Sequence, residues 1–265
     1  METIPRPLLF GHRGARGEAP ENTLPGFQRA LDMGMDGVEM DVQLCQTGEV
    51  VVVHDETLSR VTAGGGHIKA YTYEQLRALD VGSHFGPDVE GVEKFRGERI
   101  PRLEEVLDLV GEKMWLDLEL KGRSIHSDGL EEKVIGIMVE RNLIENVILS
   151  SFNPFIIMRV KMIDPRFKTG LNYLSDFAEK LRKLWFAPFV HPFSVHPQPG
   201  MVDSAYLDRA RRRNARVMPW GVNEPEDIQR LLALGVDGII SDYPARLKEI
   251  NRNREIKRPT PLRKT

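Results

Sequence analysis

A few residues of this chain combine types and spacings suited to chemistry. Glu39 and Asp41 stand two apart in the strand-like run Gly37 to Val42, so a period of 2 puts both carboxylates on one face. A second apolar run, Val50 to Val53, follows the turn signal Thr47-Gly48 and ends at His54. So short a link cannot make a parallel crossover, so the two runs are expected to pair as an antiparallel hairpin. With a two-residue Thr47-Gly48 loop the paired positions sum to 95, which sets Asp41 opposite His54. Glu119 and Lys121 repeat the two-residue spacing later, and His12-Arg13 ends the first apolar run. Three carboxylates form a hard, oxygen-rich set that favours Mg²⁺ or Ca²⁺ over Zn²⁺. Two histidines flanking one such cation suit phosphoryl transfer, one taking a proton from the nucleophile and the other giving one to the leaving alkoxide. Arg13 and Lys121 would neutralise nonbridging phosphate oxygens. The competing interpretation is an internal salt-bridge network among Glu39, Asp41, Glu119, Lys121 and Arg13, since buried charges need partners whether or not they are catalytic. His196, at the end of another strand, is an extra candidate for the same mouth, whereas His67, His84, His126 and His191 lack such surroundings.

These residues are far apart in sequence and need a scaffold that gathers them. Leu8 to Gly11 is a short strand that breaks into the glycine-containing loop His12-Arg13-Gly14. Pro20 to Thr23 then opens a helix with Asn22 or Thr23 as its N-cap, and Phe27, Ala30 and Leu31 keep helical spacing up to Gly34. After the hairpin, further strands are expected over 114–121, 147–151, 168–173, 193–196, 216–222 and 238–241. Helices fit between them, most clearly at 131–141, 204–213 and 226–234, the last capped by Asn223 ahead of Pro225. Without the antiparallel return strand, eight parallel candidates remain, which predicts a closed (β/α)8 TIM-type barrel over residues 1–250, its first and last strands pairing. In such a barrel catalytic groups lie at the C-terminal ends of the strands, where His12, Glu39, Asp41 and Glu119 fall. Residues 56–102, rich in glycine and with one short helix near Tyr73 to Leu79, form a small inserted subdomain after the second strand.

The 265-residue length suits one such barrel, and 41% apolar with 29% charged residues is an ordinary globular composition. A net charge of -2 gives no reason to expect a nucleic-acid partner. One cysteine, Cys45, excludes an intramolecular disulfide and is compatible with a reducing compartment. No secretory signal pattern opens the chain and nowhere do 18 uncharged apolar residues run together, so a cytoplasmic protein without a membrane span is expected. The basic stretch 251–265 is expected to be a solvated, disordered tail. Nothing in the sequence sets an oligomeric state.

His12-Arg13-Gly14, Glu21-Asn22-Thr23, Gly37 to Val42, Val52 to Asp55, Glu119-Leu120-Lys121, Trp220 to Asn223 and Gly235 to Asp242 together resemble the glycerophosphodiester phosphodiesterase family, in order from about residue 8 to 247. The insertion resembles the small subdomain of that family through Leu76 to Asp80 and Ile100 to Leu107. The resemblance implies a distorted barrel that uses a divalent cation to hydrolyse small-molecule glycerophosphodiesters to an alcohol and sn-glycerol 3-phosphate. It places Glu39, Asp41 and Glu119 on the metal ligands, His12 and His54 on the acid/base pair, and Arg13 and Lys121 on phosphate-binding positions. It also implies attack by the 2-hydroxyl of the substrate on phosphorus, giving a cyclic phosphate that water then opens. Trp220 stands where an aromatic residue is common at the mouth, either packing against the substrate carbon skeleton or serving as a core tryptophan. Cys45 and Thr47 depart from the usual threonine and aspartate of the hairpin arm, which bears on turn geometry. Rival readings are a lysophospholipase D-like enzyme acting on lipid head groups and a non-catalytic barrel that binds phosphodiesters.

Overall fold

The computed structural model describes residues 7–86, 92–175 and 190–257. Among them, nine strands form one sheet: β1 (Leu8–Gly11), β2 (Gly37–Leu44), β3 (Val50–Val52), β4 (Trp115–Leu120), β5 (Val147–Ser151), β6 (Lys168–Asn172), β7 (Ser194–His196), β8 (Arg216–Val217) and β9 (Gly238–Ser241). Eight are parallel, in the order β8-β7-β6-β5-β4-β2-β1-β9, and β3 is attached antiparallel to β2. Strands β1 and β9 pair from Leu8 opposite Gly238 to Gly11 opposite Ser241, as expected for the closing pair. The other side of β9 is sewn to the chain after β8 by Asp237 N to Val217 O, Ile240 N to Pro219 O and Val222 N to Ile240 O, at 2.9, 2.9 and 3.1 Å. The strand expected over 216–222 is short as a regular element: Pro219 has no N–H to donate, so beyond Val217 the pairing continues only as separate bonds and a bridge between Trp220 and Ile240. The barrel is nearly closed.

Alternation along the strands separates two environments. In β2 and β4, Val38, Met40, Val42, Leu116, Leu118 and Leu120 are fully buried in the layer between sheet and helices. Burying one such side chain stabilises by about 1.5–3 kcal/mol, so this register is strongly fixed. The opposite faces carry Glu39, Asp41, Asp117 and Glu119 into the barrel. Three of the outer helices match their expected positions: α4 (Leu130–Glu140), α6 (Ser204–Arg211) and α7 (Pro225–Leu234), counting α1 (Leu24–Asp32), α2 (Tyr73–Arg77), α3 (Leu103–Val110) and α5 (Pro154–Ile163) among those described. Thr23, not Asn22, caps α1, its hydroxyl accepting from Gly26 N at 3.4 Å. Asn223 does not cap α7; Glu224 holds that position without a side-chain bond, and Asn223 turns elsewhere.

The hairpin corrects the sequence-based register. Val42, Gln43 and Leu44 lie opposite Val52, Val51 and Val50, so paired positions sum to 94 and Asp41 faces Val53, not His54. The loop holds three residues, Gln46, Thr47 and Gly48. Gly48 N donates to Cys45 O and Cys45 N to Glu49 O, both at 3.1 Å, and Gly48 takes φ +87°. That is a turn closed by a left-handed residue, which glycine adopts at little cost. β3 then divides two cores. Val50 and Val52 join the main one, while Val51 and Val53 pack with Leu58, Ile68, Tyr73, Leu76, Val81 and Ile100 of the insertion. The short helix of the insertion, α2, opens with a Thr72/Gln75 capping box.

The last helix, α8 (Pro244–Lys257), overruns the boundary expected at residue 250. Leu247 and Asn251 are buried along it while Arg246, Lys248 and Arg252 are exposed, so the first part of the charge run is helix and not tail. Residues 258–265 of the expected tail lie outside the described residues. None of the described helices is long and apolar enough to cross a membrane.

Candidate active site

Register places the acids. β2 and β4 run parallel with Glu39 beside Asp117 and Asp41 beside Glu119, so the inward face of two neighbouring strands carries four carboxyl groups. Glu39, Asp41 and Glu119 each offer an oxygen within 4.8 Å of the others, and all three are buried. Burial and the charges of its neighbours raise Glu39 well above the usual carboxylate range, and burial with Asp41 raises Glu119. Asp41 would also rise through burial, but Lys121 and Arg13 outweigh that and hold it well below its ordinary value. Lys121 Nζ lies 2.8 Å from Asp41 Oδ1 and also bonds Glu119. Arg13 contributes its backbone N–H to Glu39 Oε2 at 2.9 Å and its Nε lies 3.3 Å from Asp41 Oδ2. Asn22 Nδ2 donates to Asp41 Oδ2 at 2.8 Å. Two cations against four acids leave an excess of buried negative charge, which a divalent cation at the three clustered oxygens would neutralise. The donor set is all oxygen, so the residues fit a hard ion.

Each histidine is backed by a carboxylate. His12 Nδ1 donates to Asp242 Oδ1 at 2.5 Å, and His54 Nδ1 to Asp55 Oδ1 at 2.6 Å. A carboxylate accepts only, so each Nδ1 carries the proton and Nε2 is left free for chemistry. His12 Nε2 points to the acids, 3.8 Å from Glu39 Oε2. Burial lowers both imidazoles, against the opposing pull of Asp242 on His12 and of Asp41 on His54. Although the register sets Val53 opposite Asp41, the chain leaves the strand at Val52 and His54 still reaches the site. The Gln43 side chain fixes that bend, its Nε2 lying 3.0, 3.1 and 2.9 Å from the carbonyls of Val53, His54 and Asp55.

A cavity of about 330 Å³ opens over these groups, within the range of small-ligand sites. His12, Arg13, Glu39, His54, Glu119 and Trp220 all line it; Asp41 and Lys121 do not, and Lys121 faces a second cavity with Gln43, His67 and Lys69. Trp220 is half-buried on the wall, its ring 6.0 Å from that of His12 and edge-on to Phe152 at 5.8 Å, and it also packs against the core cluster of Leu8, Phe10, Ile148, Met218 and Ile240. Deeper, His196 Nδ1 sits 3.3 Å from Asp117 Oδ2. Burial raises Asp117 to about 7 and lowers His196 to about 3.

Sequence reasoning missed the groups behind the site. Asn223 Nδ2 donates to Asp242 Oδ2 at 2.8 Å and its Oδ1 accepts from Asp242 N at 3.0 Å, so it holds the carboxylate that orients His12. Glu21 accepts from Arg13 at 2.8 Å and from Arg60 at 2.7 and 2.8 Å, and Arg16 lies 3.2 Å from it. Burial alone would raise Glu21; the Arg60 hydrogen bond and the three guanidinium charges hold it at about 2. Glu21, Asp55, Asn223 and Asp242 stand within the motifs that carry the resemblance, but the sequence assigns them no role in the site and does not single out Arg60.

The family model for the glycerophosphoryl diester phosphodiesterase family matches residues 12–246. A glycerophosphodiester phosphodiesterase of Caldanaerobacter subterraneus subsp. tengcongensis is 40% identical over 241 residues, 91% of this chain and 96% of that protein. One from Bacillus altitudinis is 34% identical, over 91% of this chain and 97% of its own. Among solved structures, an Oleispira antarctica phosphodiesterase in complex with the product sn-glycerol-3-phosphate superposes with a TM-score of 0.79 at 29% identity, covering 93% of this chain and 97% of that one.

Proposed function

The chain belongs to the glycerophosphoryl diester phosphodiesterase family, and from that membership and the geometry of the cavity we propose how its own residues carry out the hydrolysis of a glycerophosphodiester to an alcohol and sn-glycerol 3-phosphate. The observation that carries the assignment of roles is the pair of imidazoles, each fixed at Nδ1 by a carboxylate and each lining one cavity with Glu39 and Glu119. The family depends on a divalent cation; Glu39, Asp41 and Glu119 would hold it here, and Mg²⁺ or Ca²⁺ suits their oxygens. Such an ion, when bound, withdraws charge from the phosphoryl oxygens.

The rest is the work of side chains. Arg13, on the cavity wall, binds the nonbridging oxygens, and Lys121, through its ion pairs with Asp41 and Glu119, adds positive charge that helps offset what grows in the transition state. Trp220 packs against the glycerol carbons. One histidine accepts at Nε2 the proton of the substrate 2-hydroxyl as that oxygen bonds to phosphorus. The other enters as the imidazolium, protonated at both nitrogens, and donates its Nε2 proton to the departing alkoxide, so an alcohol leaves and a cyclic phosphate remains. Water then opens the ring with the two roles reversed, returning both imidazoles to their first state. The substrate is a small water-soluble diester, and a cytoplasmic setting, compatible with one buried free cysteine, belongs to the same proposal.

The test measures release of sn-glycerol 3-phosphate from glycerophosphocholine and glycerophosphoethanolamine with Mg²⁺, with Ca²⁺ and with chelator. Cation-dependent release that collapses in His54→Ala and in His12→Ala is expected. Undiminished turnover in either variant would remove that histidine from the chemistry.

A further inference from the structure

Arg60 lies on the insertion and does not line the cavity, yet it touches both groups that stand directly behind the chemistry. Its Nε donates to Asp55 Oδ2 at 2.6 Å, and the other oxygen of Asp55 accepts from His54 Nδ1 at 2.6 Å. Its Nη1 and Nη2 donate to Glu21 Oε2 and Oε1 at 2.8 and 2.7 Å, and Glu21 Oε1 also accepts from Arg13 Nη1 at 2.8 Å. His54 comes from the end of the hairpin and Arg13 from the loop after β1, two segments far apart in the sequence. A guanidinium is a planar fork with five donors, so it holds two carboxylates at a set distance and angle; an ammonium group of equal charge does not.

We propose that Arg60 is a positioning residue of the phosphodiesterase reaction: by bridging Asp55 and Glu21 it sets the direction of His54 Nε2 and of the Arg13 guanidinium at once. The insertion is thereby a brace for the geometry between the proton-transfer group and the phosphate-binding group. This rests on the roles given above to His54 and Arg13. A purely structural role fits less well. The Arg60 side chain is 44% exposed, and ion pairs in contact with water add little to stability. Removing it also leaves no buried carboxylate alone, since Glu21 keeps Arg13 and Arg16 and Asp55 keeps His54.

The experiment compares wild type, Arg60→Ala, Arg60→Lys, Asp55→Asn and the Asp55→Asn/Arg60→Ala double variant in the full chain with cation and glycerophosphocholine. Misplacing reacting groups by about 1 Å costs on the order of 10²-fold in rate. Arg60→Ala is therefore expected to lose kcat on that scale and to raise KM, with little change in melting temperature. Free guanidinium ion in the buffer should restore part of the rate, Arg60→Lys should not, and the double variant should lose no more kcat than the worse single one. Wild-type kinetics in Arg60→Ala, or a rate loss that tracks a loss of folded protein and is not rescued by guanidinium, would overturn the inference. A second readout is independent of turnover: the His54 Nδ1 proton, identified by its absence in His54→Ala, should give a downfield NMR signal that Arg60→Ala broadens or moves. An inactive wild type would sink the proposed function alone; an unmoved signal would sink the role of Arg60.

Discussion

Asn223 has the position of a helix cap and the work of a catalytic support. Its amide takes both an acceptor and a donor role toward Asp242, whose other oxygen fixes His12 Nδ1. A hydrogen bond to a charged group contributes about 1.5–3 kcal/mol. Felt wholly in the transition state, that is roughly 10- to 100-fold in rate. Asn223→Ala is expected to lower kcat/KM within that range while leaving the fold intact, and Asp242→Asn to lower it further; steady-state kinetics with a melting curve for each variant checks both. If Asn223→Ala keeps the wild-type rate, Arg16, whose Nη1 lies 3.8 Å from Asp242 Oδ2, holds the carboxylate well enough. The acids and histidines were legible because each announces itself locally, by a two-residue spacing or a strand end. The supports were not: Asp242 lies 230 positions from His12, and Arg60 lies 39 from Glu21, distances at which one sequence carries no pairing signal. Asn223 was misread because Asn two residues before a proline satisfies a helix start equally well.

The hairpin shows the same limit for an element. Gly48 at the end of the turn fits both a two-residue and a three-residue loop, and the two differ by a one-residue slip, which in a regular strand would send every side chain to the other face. The slip cost the register and spared the site, because Gln43 bends the chain at Val53 and brings His54 back over the acids. Glycines separate these two parts of the machinery experimentally. A Cβ on Gly48 would meet open space, so Gly48→Ala suffers only the left-handed backbone, about 1–2 kcal/mol, with kcat unchanged. Gly14 has φ +85°, and its Cβ would meet Gly26 C and O and Phe27 N at 2.6 to 2.8 Å. Gly14→Ala must push the start of α1 away from the loop that carries Arg13, so it is expected to lose more stability and most activity. Urea unfolding and kcat for the two variants decide this; equal effects would mean that the loop after β1 yields freely.

The barrel as a whole was readable from eight strand signals at regular intervals, since its core needs only alternation and volume, while the end of its last helix was hidden in a charge run that reads as tail. Its stability should carry the imprint of the mouth. Glu21 and Asp242 are each held at about 2, below their unfolded values of 4.5 and 3.8. Their contribution is therefore complete above those unfolded values and lost as pH falls toward 2. Asp117, raised to about 7 by burial and by the charges of Glu119 and Asp41, has the opposite sign. It binds a proton more readily in the fold than in the unfolded chain, so stability declines as pH rises from about 4 to about 7. At roughly 1.4 kcal/mol per pH unit this one group is worth roughly 4 kcal/mol. Glu39 and Glu119 are raised as well and act in the same direction. A divalent cation reverses that loss, because it binds the deprotonated carboxylates and supplies the missing positive charge. The cation-free protein is thus expected to be most stable in the mildly acidic range, and the rise in melting temperature on adding Mg²⁺ or Ca²⁺ to be small near pH 4 to 5 and large near pH 7 to 8. Melting curves across pH with cation and with chelator measure this directly. A cation effect that is the same at every pH would mean that these acids are already ionised in the fold, and that Lys121 and Arg13 suffice to balance them.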